Sequence, residues 1–135
     1  MSLEADVSVP CVSLELPATP ESVGEARRVV REFASTHGAR GEALAVIELS
    51  VSEAAANVAV HAYRDGPAGP MRIEADVEEG ELEIVVLDEG AGFSGEPAPG
   101  LGLGLGLVRQ NALAFEVRDR PVGGVELWAR FAIAS

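Results

Sequence analysis

Apolar side chains recur at helical spacing in two segments of the chain. In the first, Thr19 and Pro20 are helix-start residues and Gly38 is a helix-stop residue, which predicts a helix between them. A second apolar stripe predicts a helix from about Gly41 to Tyr63. The first stripe comprises Val23, Ala26, Val30 and Phe33, and the second comprises Leu44, Ile47, Val51, Ala54, Val58 and Ala62. Each helix therefore has one face to bury.

Alternation of apolar and polar residues, which is typical of strands, marks much of the remaining chain. It predicts an edge strand over 7–17, a hairpin formed by 71–77 and 81–89, and a closing hairpin over 114–133. Charged residues alternate along the first hairpin and predict a solvent-exposed sheet face: Arg72, Glu74, Asp76, Glu78, Glu81 and Glu83. Strands clustered around helices predict an α/β (α+β) two-layer sandwich with a mostly antiparallel mixed sheet, folded as one domain over 1–135.

Composition limits the classes of partner. The chain has 135 residues, 47% of them hydrophobic, and its single cysteine, Cys11, cannot form an internal disulfide. A net charge of -12 and a pI near 4.4 disfavour nucleic acid and anionic membranes, whose phosphates would be repelled. Because the sequence has neither a signal-peptide pattern nor an uninterrupted apolar run of membrane-spanning length, a cytoplasmic location is predicted.

Three polar side chains interrupt the apolar pattern of the second predicted helix. Glu53, Asn57 and His61 are spaced four residues apart and therefore form one row, which borders the apolar stripe. Small residues flank the row, namely Ala54, Ala55, Ala56 and Ala59. The row is either the solvated edge of a helix or one side of a ligand site, and the spacing alone leaves both interpretations open.

A carboxylate ends a predicted strand that is otherwise apolar on its inner side. The three inward positions before Asp88 are apolar, so the Asp88 side chain is expected to point toward the core. Gly90 and Gly92 follow it and leave space around the end of the strand. Asp88 either bonds to its own backbone in a turn or accepts a hydrogen bond from a flat ligand with an exocyclic amine, such as adenine.

Residues 99–110 read PGLGLGLGLVRQ, in which glycine and leucine alternate before a helical pattern begins. Glycine weakens strands, and leucine does not suit a flexible linker. The segment therefore predicts a loop whose N–H groups face a ligand and whose end becomes a helix N-terminus, an arrangement that binds phosphate. Neither the P-loop motif nor G-x-G-x-x-G occurs here.

In order and spacing, these three segments resemble the Bergerat (GHKL) ATP-binding fold. The segments are VSEAAANVAVHAY, VLDEGAGF and GLGLGLVRQNA. Within that superfamily they are most similar to the anti-sigma factor serine kinases of bacteria. The resemblance covers nearly the whole chain, and the three segments are specific jointly although each is weak alone.

The resemblance implies a role for each residue of these segments. Asn57 is expected to bind Mg²⁺, and Glu53 is expected to act as the catalytic general base. Asp88 is expected to hydrogen-bond the adenine, with His61 and Tyr63 supporting the site. The other implied nucleotide-binding positions are the glycines beside the adenine and the phosphate segment with its anchoring leucines: Gly90, Gly92, Gly100, Gly102, Leu103, Gly104 and Leu105.

The resemblance also implies cofactors and partners. ATP and Mg²⁺ are the implied cofactors. The implied partners are a sigma factor and a STAS-type anti-sigma antagonist, on which the protein would phosphorylate a serine. Homodimer formation is left open. Arg27, Arg28 and Arg31 on the first helix form either a partner surface or a salt-bridged solvent face.

Two departures from the family pattern leave a second function open. Only seven residues separate Gly92 from Gly100, none of them is Arg or Lys, and the next basic residue is Arg109. Val125 stands where many relatives have threonine. The alternative function is a nucleotide-gated anti-sigma binding module with little or no kinase activity.

Overall fold

The computed structural model describes residues 11–62, 69–89, 101–121 and 123–133. Strands and helices alternate along these ranges. In chain order they are β1 (Cys11–Pro17), α1 (Pro20–Thr36), α2 (Gly41–Asn57), β2 (Pro70–Glu78), β3 (Glu81–Asp88), α3 (Leu101–Asn111), β4 (Ala114–Asp119) and β5 (Val125–Ala132). A π-helical segment, Val58–Ala62, directly follows α2.

The strands form a five-stranded sheet in the order β1–β2–β3–β5–β4. Each neighbouring pair within the described ranges is antiparallel. The helices lie against one face, where α1 contacts β1, α2 contacts β3 and β5, and α3 contacts β4. This arrangement confirms the predicted α+β two-layer sandwich.

The core lies between the sheet and the first two helices. Ile73 and Ile84 on the sheet and Ile47 and Val51 on α2 are fully buried, and burial of a side chain of this size contributes about 1.5–3 kcal/mol. The predicted stripes are confirmed, because Ala26, Val30, Ile47, Val51, Ala54 and Val58 are buried and Val23, Phe33 and Leu44 pack partly buried against the core. The side chain of Ala62 lies outside the described residues.

The first helix begins and ends where the sequence predicts, whereas the second changes form at its end. Thr19 is the N-cap of α1 and Pro20 its first residue. Gly38, just past the last turn, has a φ of 108°, which favours glycine. The predicted helix to Tyr63 is α-helical only to Asn57 and π-helical from Val58 to Ala62, and Tyr63 lies outside the described residues.

The helical stretch Gly41–Val60 is long and apolar enough, by composition alone, to cross a membrane. In the fold, however, Ile47, Val51 and Ala54 of this stretch are buried in the core. A core helix passes the same test of length and composition, and we interpret α2 as one.

The predicted hairpin of β2 and β3 turns through Glu79 and Gly80. Both residues have positive φ, 53° and 80°, as a tight two-residue hairpin turn requires. The sheet face opposite the helices carries charged residues, as expected, and these form ion pairs. Arg72 lies 3.7 Å from Glu15 and 3.8 Å from Glu74, so much of the chain's charge belongs to this solvated face.

A groove on this outer face is lined by Asp76, Glu83, Arg130 and the hairpin tip. Arg130 lies 3.6 Å from Glu83 and 5.1 Å from the ring centroid of Trp128, whose Nε1 donates a hydrogen bond to Glu83. Partial burial, followed by the nearby carboxylates of Glu83, Glu78 and Glu74, raises the pKa of Asp76, and Arg130 opposes the shift.

We expect Asp76→Asn to stabilise the protein at neutral pH. Since its pKa is raised in the folded state, the Asp76 carboxyl contributes stability that is fully present below the unfolded pKa of about 3.9 and is lost as pH rises through the folded value. The gain should be about 0.5 kcal/mol or less, because solvent screens this site, and it should disappear in acid. Urea unfolding across a pH series measures it.

Glu116→Gln is the matched control for this prediction. Glu116 lies on the same face, but it is 2.9 Å from Arg118, so neutralising it removes an attraction rather than a repulsion. A gain in stability at neutral pH for the control as well would show that the effect belongs to the chain's net charge and not to Asp76.

Candidate functional site

The polar row on α2 contains oxygens without hydrogen-bond partners. Glu53 Oε1 and Asn57 Oδ1 are shielded from solvent and, among the described residues, have no partner. The same holds for the hydroxyls of Ser50 and Ser52. Because buried polar oxygens are normally hydrogen-bonded, this stretch of α2 is a place where a ligand could supply donors or a cation. The interpretation as a solvated helix edge does not fit these buried atoms.

The environment of Glu53 also changes its protonation. Desolvation by burial raises the pKa of its carboxyl group, because burial disfavours the charged form. A carboxylate that binds protons more readily than in water is better suited to accept one from a reacting hydroxyl. Glu53 therefore has the chemistry of a general base.

The third residue of the row, His61, lies in the π-helical segment that follows Asn57. Short π-helical turns within helices are frequent at functional sites. The side chain of His61 and the whole of Tyr63 lie outside the described residues, so their supporting roles stay predictions.

Asp88 is the last residue of β3 and points inward, as its position in the alternating pattern predicts. Its relative exposure is 3%, which places it with Ser22 and Ser50 among the few buried polar residues of the described ranges. Both α2 and the π-helical segment contact β3. The polar row and Asp88 thus belong to the same inner side of the sheet.

Two residues that the sequence did not single out hold the backbone at Asp88. Arg120, just after β4, donates a hydrogen bond from Nη1 to the backbone carbonyl of Asp88 at 2.7 Å. Gly124 approaches the same carbonyl so closely that a Cβ built on it would lie 2.0 Å from the oxygen. The Gly123–Gly124 pair marks a turn in the sequence, but nothing there reveals its contact with Asp88.

We expect Gly124→Ala to destabilise the fold by about 2 kcal/mol or more, from strain at positive φ and a clash with backbone. Gly123→Ala is a matched control. Both glycines have positive φ, 102° for Gly123 and 95° for Gly124, but a Cβ at Gly123 meets nothing within 4 Å. Thermal unfolding should therefore show a larger loss for Gly124→Ala, and equal losses would contradict the close contact.

The glycine–leucine segment differs from its prediction. The structure places Leu101–Asn111 in helix α3, so the prediction of a loop at Gly102 and Gly104 is wrong. The first N–H groups of an α-helix have no partner within it, and such groups suit phosphate. The proposed phosphate contacts at this segment therefore move from a loop to the first turn of a helix.

Parts of this segment are outside the described residues. Gly90, Gly92 and Gly100 lie outside them entirely, as do the side chains of Leu103 and Leu105. Their predicted roles stay predictions. Further along α3, Val108 is fully buried and fixes the helix to the core.

Arg109, the basic residue that follows the short segment, is engaged elsewhere. Its guanidinium carbon lies 5.2 Å from the ring centroid of Phe115, a cation–π arrangement. In this conformation Arg109 is held beside β4.

Asn57 fits the chemistry of a magnesium ligand. Mg²⁺ prefers oxygen ligands and usually takes one or two from the protein, completing its shell with water and substrate phosphates. The amide Oδ1 of Asn57 is such an oxygen and lacks a partner among the described residues. Within those residues, no group of three His, Cys, Asp or Glu side chains could hold a metal ion.

The sequence over residues 16–131 matches the family model of the histidine kinase-like ATPase domain. That span runs from the end of β1 into the end of β5 and includes the polar row of α2, Asp88 and α3. The chain therefore belongs to the histidine kinase-like ATPase family, within the GHKL superfamily that the three segments resemble.

Curated relatives carry the names of anti-sigma kinases. Serine-protein kinase RsbW of Bacillus subtilis is 35% identical over 82 residues, covering 61% of this chain and 51% of that protein. Serine-protein kinase RsbW of Oceanobacillus iheyensis is 34% identical over 85 residues, covering 63% and 54%. Anti-sigma F factor of Shouchella clausii is 35% identical over 83 residues, covering 62% and 57%. The matches span about half the length of these relatives.

Proposed function

We propose that this protein is an ATP-binding anti-sigma regulatory factor that acts as a serine protein kinase on an anti-sigma antagonist. The observation that carries the proposal is the pair of buried oxygens without partners on α2, at Glu53 and Asn57, on the same side of the sheet as the buried carboxylate of Asp88. Membership of an ATPase family and relatives named serine-protein kinases support it.

The adenine end of the site is assigned to Asp88. A buried carboxylate accepts a hydrogen bond from the exocyclic amine of adenine, whereas guanine presents a carbonyl oxygen at the equivalent position and would be repelled. Gly90 and Gly92, directly after β3, would leave room for the base. This assignment makes the site selective for ATP over GTP.

The phosphate end is assigned to the start of α3. Backbone N–H groups of the first helical turn favour anionic phosphates without any basic side chain. Gly100, Gly102 and Gly104 would allow close approach of the phosphates, and Leu103 and Leu105 would fix the segment to the core. Such a mechanism suits a chain of net charge -12.

The reacting end is assigned to Glu53 and Asn57. Glu53 would accept the proton of the attacking serine hydroxyl as its oxygen forms a bond to the γ-phosphorus and the bond to the ADP oxygen breaks. Asn57 would hold Mg²⁺, which neutralises phosphate charge when bound. Because phosphoryl transfer depends mainly on positioning and charge neutralisation, two residues one helical turn apart could carry the protein's share.

The partners in this proposal are a sigma factor and a STAS-type antagonist, in the cytoplasm. The α1 arginines were left between two interpretations, and ion pairs account for two of them. Arg28 lies 2.8 Å from Glu25, and Arg31 lies 2.9 Å from Glu48. Arg27 is exposed and forms no ion pair within the described ranges, which makes it the α1 cation most available to an acidic partner.

A second function, a nucleotide-gated binding module without kinase activity, is favoured by the short segment between Gly92 and Gly100, which has no Arg or Lys. Arg109 does not replace such a cation in this conformation, since it stacks on Phe115. The two functions differ only in whether phosphate is transferred.

The test is incubation with Mg-ATP and a STAS-type protein encoded beside the gene for this chain, followed by phosphoserine detection by mass spectrometry. The kinase proposal predicts one modified serine, and changing that serine to alanine should remove the signal. Sigma-factor capture and ATP binding without any phosphoserine would favour the binding module instead.

A further inference from the structure

The end of β3 is paired unequally on its two sides. Toward β2 the ladder continues to the last residue, where Met71 is opposite Asp88. Toward β5 it stops one residue earlier, where Leu87 is opposite Glu126. The backbone at Asp88 therefore has a strand partner on the β2 side, while the β5 side depends on the turn before β5.

Arg120 takes the place of a ladder partner on that side. Its Nη1 donates to the Asp88 carbonyl at 2.7 Å across 32 residues of sequence, in a partly buried position. A charged donor shortens and strengthens such a bond. The planar guanidinium loses little freedom when it bonds, which makes arginine a more rigid support than lysine.

The turn that carries Arg120 is itself held by backbone hydrogen bonds. The Arg120 N–H donates to the Gly124 carbonyl at 2.9 Å, and the Gly123 N–H donates to the Arg120 carbonyl at 3.0 Å. Gly124 in turn packs against the Asp88 carbonyl. The guanidinium and the glycine therefore restrain one peptide group from the same rigid turn.

We propose that Arg120 is a positioning residue for Asp88 and, through it, sets the preference of the site for adenine over guanine. This inference rests on the proposed nucleotide site. The carboxylate of Asp88 is attached to the peptide that Arg120 holds, so a shift of that peptide displaces the carboxylate from the amine that it would recognise. Hydrogen bonds weaken steeply with such displacement, whereas contacts to the phosphates at α3 would be unaffected.

The experiment measures the dissociation constants of Mg-ATP and Mg-GTP by calorimetry in matched variants. Arg120→Ala should reduce the ratio of GTP to ATP dissociation constants roughly tenfold, by weakening ATP. Arg120→Lys, which keeps one charged donor, should restore part of the ratio. Arg118→Ala is the control, because Arg118 is a nearby β4 arginine that pairs only with exposed Glu116 and partly exposed Glu126 among the described residues.

The double variant Arg120→Ala with Asp88→Asn separates positioning from a direct contact. If Arg120 acts through Asp88, its removal should change ATP affinity little once the carboxylate is gone. An additional full loss in the Asp88→Asn background would overturn the proposal, because Arg120 would then contribute independently of Asp88.

Three other outcomes also decide the matter. Equal weakening of ATP and GTP by Arg120→Ala would show a purely structural role and overturn the proposal, as would a ratio unchanged from Arg118→Ala. If Arg120→Ala does not fold, the ratio in Arg120→Lys decides, and no change or a collapse without partial retention overturns it. Wild-type protein that binds neither nucleotide refutes the proposed function itself, whereas wild-type selectivity that depends on Asp88 but not on Arg120 refutes only this inference.

Discussion

Replacing Glu53 by glutamine is expected to lower the rate of phosphate transfer by roughly two to four orders of magnitude while leaving ATP binding intact. Glutamine keeps the size and helix propensity of glutamate but cannot accept the serine proton. Binding should persist because the adenine and phosphate contacts are assigned to β3 and α3. Single-turnover phosphorylation and calorimetric ATP titration measure the two effects separately.

The pH profile of the wild-type enzyme gives the same residue a second readout. Since burial raises the pKa of Glu53, the active carboxylate should be lost by protonation at a higher pH than for an exposed glutamate. The acidic limb of the transfer rate should therefore lie above about pH 4.3, the usual glutamate value. Glu53→Gln should remove that limb from its residual activity.

Glu48→Gln is the matched control on the same helix. Glu48 lies 2.9 Å from Arg31 at the contact between α1 and α2, away from the row of Glu53 and Asn57. Its loss should leave the transfer rate nearly unchanged. Similar slow transfer in both variants, or normal transfer in Glu53→Gln, would contradict the assignment of Glu53 as general base.

Asp88→Asn is expected to remove most of the stabilisation that ATP provides, without unfolding the free protein. The asparagine side chain has nearly the same shape but offers either a neutral acceptor or a donor, which weakens the bond to the adenine amine. At a concentration 100 times the wild-type dissociation constant, ATP should stabilise wild-type protein by about 2.7 kcal/mol and the variant far less. Differential scanning fluorimetry measures both.

Asp76→Asn controls for the loss of one negative charge from the sheet. Asp76 lies on the outer face, in the groove beside Arg130, so its neutralisation should leave the ATP-induced shift unaltered. An equal loss of the shift in both variants would indicate that overall charge, and not a contact at Asp88, governs nucleotide binding.

Hydrophobic periodicity predicted most of the fold because the elements follow local rules. The Thr19–Pro20 start and the Gly38 stop gave α1 its ends. The inward position of Asp88 also followed from strand alternation, since side chains alternate between the faces of a strand. These features depend only on neighbouring residues.

Features that depend on packing could not be predicted in the same way. Glycine-rich sequence disfavours a helix locally, yet α3 begins at Leu101, contacts α2 and buries Val108, so tertiary packing overrides propensity. The bond from Arg120 to Asp88 joins residues 32 positions apart. No periodic pattern encodes such a contact.

The most direct test of the nucleotide site compares ATP with GTP on the unaltered protein. Thermal unfolding is followed with each nucleotide and Mg²⁺ at equal concentration, chosen at 100 times the ATP dissociation constant. The account predicts a shift of several degrees with ATP, equivalent to about 2.7 kcal/mol, and a clearly smaller shift with GTP. Equal shifts for the two nucleotides, or no shift with either, would contradict it.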